Sequence, residues 1–353
     1  MLGDVAPRRI LVVKLSSFGD VVHVTPSLRA LRRAYPEADI RVVVERRWAD
    51  ALRALPWIDG LVEASSRTSV TPSYLLEARR ALGACPGRFD LAIDFQGTRR
   101  SATWVYASGA RVMAGRGSPR PFWRSGLRPD LSRHAVVVCA EICAAVAAPV
   151  DDLSPELRTI PADEERVARV LLDEGVPATD FVLLNPFSRW ESKGLDVGTA
   201  AELAARTARF PGARVVLAGG PEEAERATEV ARRAGAEVVP LAGRFTLAEA
   251  LCLLRRARLV ISCDSGPMHA AAALGTPVVA LFGPTHPERT GPWGEGHVVL
   301  QAERPAEHHA YRTDRERRAM RALTIEAMTD AVEEALARVR SADERTPRGS
   351  EVA

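Results

Sequence analysis

The sequence predicts an α/β protein built from two doubly wound domains, and three observations lead there. The chain has 353 residues, too many for one ordinary core and about right for two domains of this class. Short apolar runs of strand length alternate with helical patterns, the mark of βαβ units on parallel sheets. Between two such series lies a polar, proline-bearing stretch, Asp151 to Pro161, which reads as a linker.

In the first series a strand over Arg9–Leu15 leads into a short loop, Ser16–Asp20. A helix follows, with Thr25 as N-cap and Pro26 in its first turn, where a missing N–H is tolerated. Strands are expected at Ile40–Glu45, Gly60–Glu63, Leu91–Asp94 and Arg111–Ala114, with helices near Ser73–Ala84 and Ser101–Ala107. A helix over His134–Ala147 closes this half. The second series opens with helix Glu164–Glu174, strand Phe181–Leu184, helix Thr199–Phe210, strand Arg214–Ala218 and helix Glu222–Ala234. Helix Leu247–Arg256, strand Leu259–Ser262, helix Met268–Leu274 and strand Val278–Phe282 continue it. A last helix, Ile325–Val339, precedes a polar tail expected to be disordered. Two such halves place a ligand in a cleft between their strand C-termini.

Hydrophobic residues make up 46% and charged residues 26% of the chain, the balance of a soluble globular protein. The longest apolar stretch, Ala135 to Val150, carries Glu141 and falls short of a membrane span, which needs about 18 uncharged residues. The run Ile10 to Val13 is too short for a signal-peptide core, so the expected location is the cytoplasm. Cysteines stand at 85, 139, 143, 252 and 263 with no CxxC pair, which argues against a disulfide framework or structural zinc. Cys139 and Cys143, one turn apart in an apolar stretch, are read as packing residues. Neither a metal site nor a cofactor is expected.

The net charge of +3 conceals an asymmetry: residues 1–160 carry a balance of +7 and the remainder −4. Within Arg99 to Arg133, eight arginines face one acid, Asp130. A solvated basic face is one reading; an anionic partner for the first half is the other. Lysine gives a second signal. Of 48 basic residues only Lys14 and Lys193 are not arginine. A lysine is a compact point charge suited to a phosphate in a confined pocket.

Four segments carry possible chemistry. Ser16-Ser17-Phe18-Gly19-Asp20 follows the first strand and is not G-x-G-x-x-G, so the dinucleotide fingerprint of an oxidoreductase is missing. Gly19 suits a tight turn. Asp20 is either a helix cap or a catalytic base, and spacing leaves both open. His23 is a candidate acid–base group, though a lone histidine is more often structural. The loop from Asn185 to Lys193 puts Ser188 and Lys193 after a strand, where an anionic phosphate would fit. In Gly219-Gly220-Pro221-Glu222-Glu223 a carboxylate at a strand end suits ribose hydroxyls, or simply the helix dipole. In Ser262-Cys263-Asp264-Ser265-Gly266-Pro267-Met268-His269 backbone N–H groups could face an anion and Asp264 could bind sugar hydroxyls. A plain Gly-Pro helix start is the alternative.

Taken in order, Val13-Lys14-Leu15-Ser16-Ser17-Phe18-Gly19-Asp20-Val21-Val22-His23, Asp94-Phe95-Gln96-Gly97, Ser192-Lys193, Asp264-Ser265-Gly266-Pro267-Met268-His269-Ala270-Ala271-Ala272 and Phe282-Gly283-Pro284-Thr285 resemble the ADP-heptose:lipopolysaccharide heptosyltransferases of glycosyltransferase family 9. The Ser-Ser-Phe-Gly-Asp and Asp-Phe-Gln-Gly forms lean toward the heptosyltransferase I group, which adds the first heptose to Kdo. The resemblance covers nearly the whole chain. It implies a GT-B fold, two Rossmann-like doubly wound domains facing across a cleft. Residues 1–160 would be the acceptor domain and 161–323 the nucleotide-sugar domain. A helix over 324–340 would cross back to the first domain, ahead of a disordered tail at 341–353.

It implies further an inverting, metal-independent transfer of heptose from ADP-L-glycero-D-manno-heptose to the Kdo region of lipopolysaccharide, with Asp20 as general base. Ser188 and Lys193 match diphosphate contacts, Glu223 the ribose contact, and Asp264, Ser265 and Gly266 sugar and phosphate contacts. His269 matches a pocket histidine, and Phe245 falls where an apolar residue flanks adenine. On the acceptor side the residues are Ser17, Gly19, Arg120 and Arg124, the arginines drawn from the basic stretch. A Kdo–lipid A acceptor would bring the enzyme to the inner-membrane surface; no nucleic-acid partner is expected. Glu303 to Met320 lacks the cysteines many members carry before the last helix. Rival readings are another GT-B transferase or epimerase using a different nucleotide sugar, and an inactive sugar-nucleotide-binding protein. A binder has no use for a base aimed at an acceptor, which favours the enzyme.

Overall fold

The computed structural model describes residues 6–67, 69–116, 125–301 and 319–345. The chain divides into two compact units, Met1–Arg158 and Thr159–Ala353, close to the boundary expected after residue 160.

In the first unit six parallel strands form one sheet: β1 (Arg9–Val13), β2 (Asp39–Glu45), β3 (Gly60–Ala64), β4 (Leu91–Asp94), β5 (Val112–Arg116) and β6 (Ser125–Leu127). Between them run α1 (Phe18–His23), α2 (Thr25–Ala34), the short α3 (Asp50–Arg53), α4 (Pro72–Gly83) and α5 (Arg99–Ala107), and α6 (Ala135–Ala144) follows β6. Alternate side chains serve opposite faces, as the strand's two-residue period requires. Ile10, Val12, Ile40, Val42, Leu91 and Ile93 pack beneath α2 and α6. Leu11, Val13, Val43, Val62 and Ala92 meet Tyr74, Ala78 and Leu82 of α4 and Trp104 and Val105 of α5. Trp104 is fully buried, and its indole N–H donates to the Tyr74 hydroxyl at 2.8 Å. Burying an indole removes roughly 200 Å² from water, about 5 kcal/mol before entropy is counted, and that hydrogen bond prevents its N–H from cancelling part of the gain.

The second unit repeats the plan with β7 (Val182–Asn185), β8 (Val215–Leu217), β9 (Val238–Pro240), β10 (Leu259–Cys263), β11 (Val278–Phe282) and β12 (Val298–Gln301). Its helices are α7 (Pro161–Asp173), α8 (Val197–Thr207), α9 (Ala224–Ala234), α10 (Leu247–Arg256), α11 (Gly266–Ala273), α12 (Pro287–Thr290) and α13 (Ile325–Arg345). The strand orders are β3-β2-β1-β4-β5-β6 and β12-β11-β10-β7-β8-β9. Counted from each unit's first strand these are the same order, 3-2-1-4-5-6. The winding direction therefore reverses between β1 and β4 in one sheet and between β7 and β10 in the other.

Several local expectations are corrected. Ser16–Asp20 is not all loop: α1 begins at Phe18, with Ser17 as its N-cap. Thr25 is not an N-cap, because only Val24 separates α1 from α2. Its hydroxyl instead donates to the Val22 carbonyl at 2.9 Å and accepts from the Glu156 N–H at 3.0 Å. Gly19 lies buried inside α1 rather than in a turn. Within the second unit the last helix packs on α8, β10, β11 and β12. Its stripe Met328, Ala331, Val332, Ala335 and Leu336 is spent in that unit's core. It also runs to Arg345, into the segment expected to be a disordered tail; residues 346–353 lie outside the described ones, as do Arg120 and Arg124.

Candidate active site

In an open parallel sheet the loops on either side of the winding reversal diverge, leaving a crevice at the strand C-termini. The first unit puts there the loop after β1 and the loop after β4. At the end of β1, Lys14 is only 3% exposed. Its ammonium donates to Asp20 Oδ1 at 3.3 Å and to the Phe95 carbonyl at 3.4 Å. The other carboxylate oxygen, Oδ2, accepts the Ser17 N–H and the Ser17 hydroxyl, each at 2.9 Å. Asp20 is the third residue of α1, so the Ser17 N–H bond is the return half of a capping box. Cap and partly exposed carboxylate are one residue: the Asp20 side chain remains 40% exposed. Burial pushes its carboxyl upward, but the Lys14 ammonium, His23 and the two Ser17 hydrogen bonds together hold it well below the usual range.

Across the reversal, Asp94 ends β4 fully buried. Its Oδ1 accepts the Gln96 and Gly97 N–H groups at 2.8 and 3.0 Å, and its Oδ2 the Ser101 hydroxyl at 2.8 Å. Burial nonetheless raises its carboxyl to about 6, against those hydrogen bonds and Lys14. Gln96, held this way, accepts the Ser16 N–H on its Oε1 at 3.2 Å and ties the two loops together. Gly97 has φ +74, and a Cβ there would meet the Arg116 carbonyl at 3.0 Å, so the turn requires glycine. His23 is buried, its ring edge-on to His134 at 5.3 Å; it packs rather than faces solvent.

Sequence reasoning missed a neighbouring arginine pair. Glu45, at the end of β2, is buried and binds Arg47 at 2.7 Å and Arg100 at 2.9 Å. One carboxylate between two guanidiniums leaves net positive charge on this sheet edge. The signal was present as Glu45-Arg46-Arg47 at a strand end.

The second unit builds its crevice from the loops after β7 and β10. Lys193, closing a single 3-10 turn, donates to Asp264 Oδ2 at 2.7 Å. Asn185 donates from Nδ2 to the Ser265 hydroxyl at 3.2 Å, and Ser265 lies 3.2 Å from the Ser262 hydroxyl. Ser265 is the N-cap of α11, which Gly266 begins. His269, one turn along, is buried. Ser188 shares the β7 loop and accepts the Trp190 N–H at 3.4 Å. At the neighbouring strand end, after β8, Glu223 accepts the Gly220 N–H at 2.8 Å. Burial, reinforced by Glu222, raises its carboxyl despite that bond and Arg226. Phe245 follows β9, half-buried, beyond Gly243, whose φ of +78 and 3.0 Å approach to Pro221 Cα leave no room for a side chain. All eight residues expected to bind a donor therefore lie at this unit's strand ends or in the first turn that follows. Asn185, which orients Ser265, was not anticipated.

Comparison with known proteins matches residues 76–320 to the model of glycosyltransferase family 9 (heptosyltransferase). Lipopolysaccharide heptosyltransferase 1 of Pseudomonas aeruginosa is 30% identical over 312 residues, covering 84% of this chain and 84% of that protein. The enzyme of the same name from Escherichia coli K12 is 27% identical, covering 84% and 94%. Among solved structures, a family 9 glycosyltransferase from Veillonella parvula superposes with a TM-score of 0.82 at 23% identity, covering 94% of this chain and 97% of that one. An E. coli heptosyltransferase solved with ADP gives 0.73 at 24% identity, covering 93% and 99%. The fold is thus GT-B, as the motifs implied, and the chain belongs to glycosyltransferase family 9, the heptosyltransferase family.

Proposed function

We propose that the protein transfers heptose, with inversion, from ADP-L-glycero-D-manno-heptose to the Kdo region of a lipopolysaccharide precursor. The observation that carries this is the placement of a lysine–carboxylate pair at each sheet's reversal, Lys14 with Asp20 and Lys193 with Asp264. The names of the relatives supply the sugar and the lipopolysaccharide acceptor. In this reading the second unit holds the donor. Lys193 meets the diphosphate and stabilises the charge that grows as ADP leaves, Glu223 takes ribose hydroxyls, and Asp264, Ser265 and Gly266 take sugar and phosphate. Phe245 flanks the adenine.

The first unit holds the acceptor, with its carboxylates or phosphates drawn to the cationic sheet edge. The acceptor oxygen bonds to the anomeric carbon, the bond to the diphosphate oxygen breaks, and the hydroxyl proton passes to Asp20. A carboxylate held well below its usual range is a weak base. It suffices because the attacking hydroxyl becomes strongly acidic as its oxygen donates electrons, so proton transfer accompanies bond formation. Five free cysteines, all buried, fit a reducing compartment, and we place the reaction in the cytoplasm at the inner-membrane face.

A thermal-shift panel tests the donor assignment, because a ligand that binds only the folded state raises its melting temperature by mass action. ADP and ADP-heptose should stabilise the protein and UDP-sugars should not. ADP-heptose should then be consumed only with a Kdo-bearing acceptor. Stabilisation by NADH or a UDP-sugar, with none from ADP-heptose, would overturn the assignment.

A further inference from the structure

The chain's two lysines sit at equivalent places, one at each sheet's reversal, yet they differ in what they can reach. Lys193 retains 16% side-chain exposure, enough for contact with a ligand. Lys14 retains 3%, while the carboxylate it binds is 40% exposed. The ammonium is therefore buried, while the carboxylate it binds reaches solvent. Its backbone is fixed as well, the Lys14 N–H donating to the Val43 carbonyl at 3.0 Å. From that anchor Nζ spans Asp20 Oδ1 and the Phe95 carbonyl, joining the α1 loop to the loop after β4. Ser17 fixes the opposite oxygen. A carboxylate gripped on both oxygens keeps one orientation.

We propose that Lys14 is a positioning residue for the transfer reaction, a buried ammonium that fixes the Asp20 carboxylate and sets its strength as a base. The inference rests on the reading of Asp20 as general base. The other groups facing this pair are His23 on α1, Asp94 at the end of β4 and Cys139 on α6, and Arg116 at the end of β5 acts on Cys139. Asp94 and Cys139 are buried, with Asp94 raised to about 6 and Cys139 to about 11 by that burial; near neutrality Cys139 is uncharged, while Asp94 is largely ionised and opposes the effect of Lys14 on Asp20. Among the described residues Lys14 is the cation ion-paired with Asp20, at 3.3 Å, and its effect should dominate. Residue choice follows from space. A single Nζ fits between one carboxylate oxygen and one carbonyl, where a guanidinium fork would need more room and more acceptors.

The test is the pH dependence of single-turnover kcat for the full-length protein with ADP-heptose and a Kdo-bearing acceptor. In Lys14→Met the acid limb should move up by about 1–3 pH units, the usual influence of an adjacent opposite charge. kcat should fall about tenfold as orientation is lost, with donor and acceptor KM within about twofold. Lys14→Arg, which retains the charge, should keep the limb near its wild-type position even if kcat falls. A methionine variant with wild-type limb and kcat overturns the proposal. Should that variant not fold, carbon-13 titration of the wild-type Asp20 carboxyl decides: titration near the ordinary value of about 3.9 overturns it, and titration well below supports it. Asp20→Asn, measured alongside, separates the two readings. Activity surviving in that variant removes the base and this inference with it, whereas an inactive Asn variant beside an unshifted Met variant removes only the role of Lys14.

Discussion

Asp20 satisfies the Ser17 N–H at the start of α1 and at the same time presents a carboxylate at the sheet's C-terminal edge. Asparagine preserves the first role, since its carbonyl oxygen accepts the same hydrogen bond, but cannot take a proton. We expect Asp20→Asn, which takes the carboxylate from buried Lys14, to lower the melting temperature by several degrees but to leave ADP-heptose affinity unchanged, with kcat lower by about 10²–10⁴. Steady-state kinetics beside a melting curve measure both; activity within a few-fold of wild type would reduce Asp20 to a cap. The sequence showed both possibilities for this residue and could not choose, because the cap uses one carboxylate oxygen and leaves the side chain partly exposed. The rarity of lysine alone marks Lys14 and Lys193 in the sequence. Spacing could not reveal that each would pair with a carboxylate, since Lys193 and Asp264 are brought together only by the β7–β10 pairing.

Among the elements, the long amphipathic helices and buried strands were legible; β6, β9 and β12 were not. Each has three or four residues, too few to establish a period, and their place comes from pairing with a neighbouring strand. The last helix was legible as a helix, but its partner was not, because an apolar stripe says that a face is buried and not against what. The turn between β4 and α5 hid its organiser in a similar way. Asp94 appeared as part of a motif without a role, and the structure shows it gathering three donors in a buried site. Its carboxyl, raised to about 6 from 3.8, makes a prediction for this element. Between those values the folded state holds a proton that the unfolded chain has released, so this group's contribution to stability declines as pH rises through about 4 to 6 and then levels off. Asp94→Asn should abolish that decline. The stability difference between wild type and variant should therefore shift against wild type by on the order of 2 kcal/mol across the window. Denaturant melts at pH 4, 5, 6 and 7 would show it, and a pH-independent difference would mean that Asp94 is ionised throughout.

For the whole molecule, the alternation of strands and helices revealed two α/β halves, while the shared strand order did not appear in the residues. It follows from right-handed crossovers and short connections acting twice on similar element strings. The charge asymmetry between the halves was fully visible in the sequence, +7 against −4, and it predicts different salt responses. Raising ionic strength from about 50 to 300 mM, which shortens the screening length below about 8 Å, should raise the acceptor KM several-fold. The donor KM should change by less than about twofold, because the Lys193 side chain is only 16% exposed and therefore weakly screened. Equal sensitivity of both constants in initial-rate measurements would mean the basic half does not recruit the acceptor.

The placement of the last helix has a consequence in time. The first unit is complete at Arg158 and can close while the rest of the chain is still being translated. The second unit cannot, because Met328, Val332 and Leu336 fill its core. At about 5–20 residues per second, the interval from Arg158 to Leu336 is on the order of 10–40 seconds. During that wait the nascent second unit exposes the apolar face that α13 will cover, while the first unit is already folded. Ribosomes that stall in this window would release a folded basic domain carrying an unfinished, aggregation-prone extension.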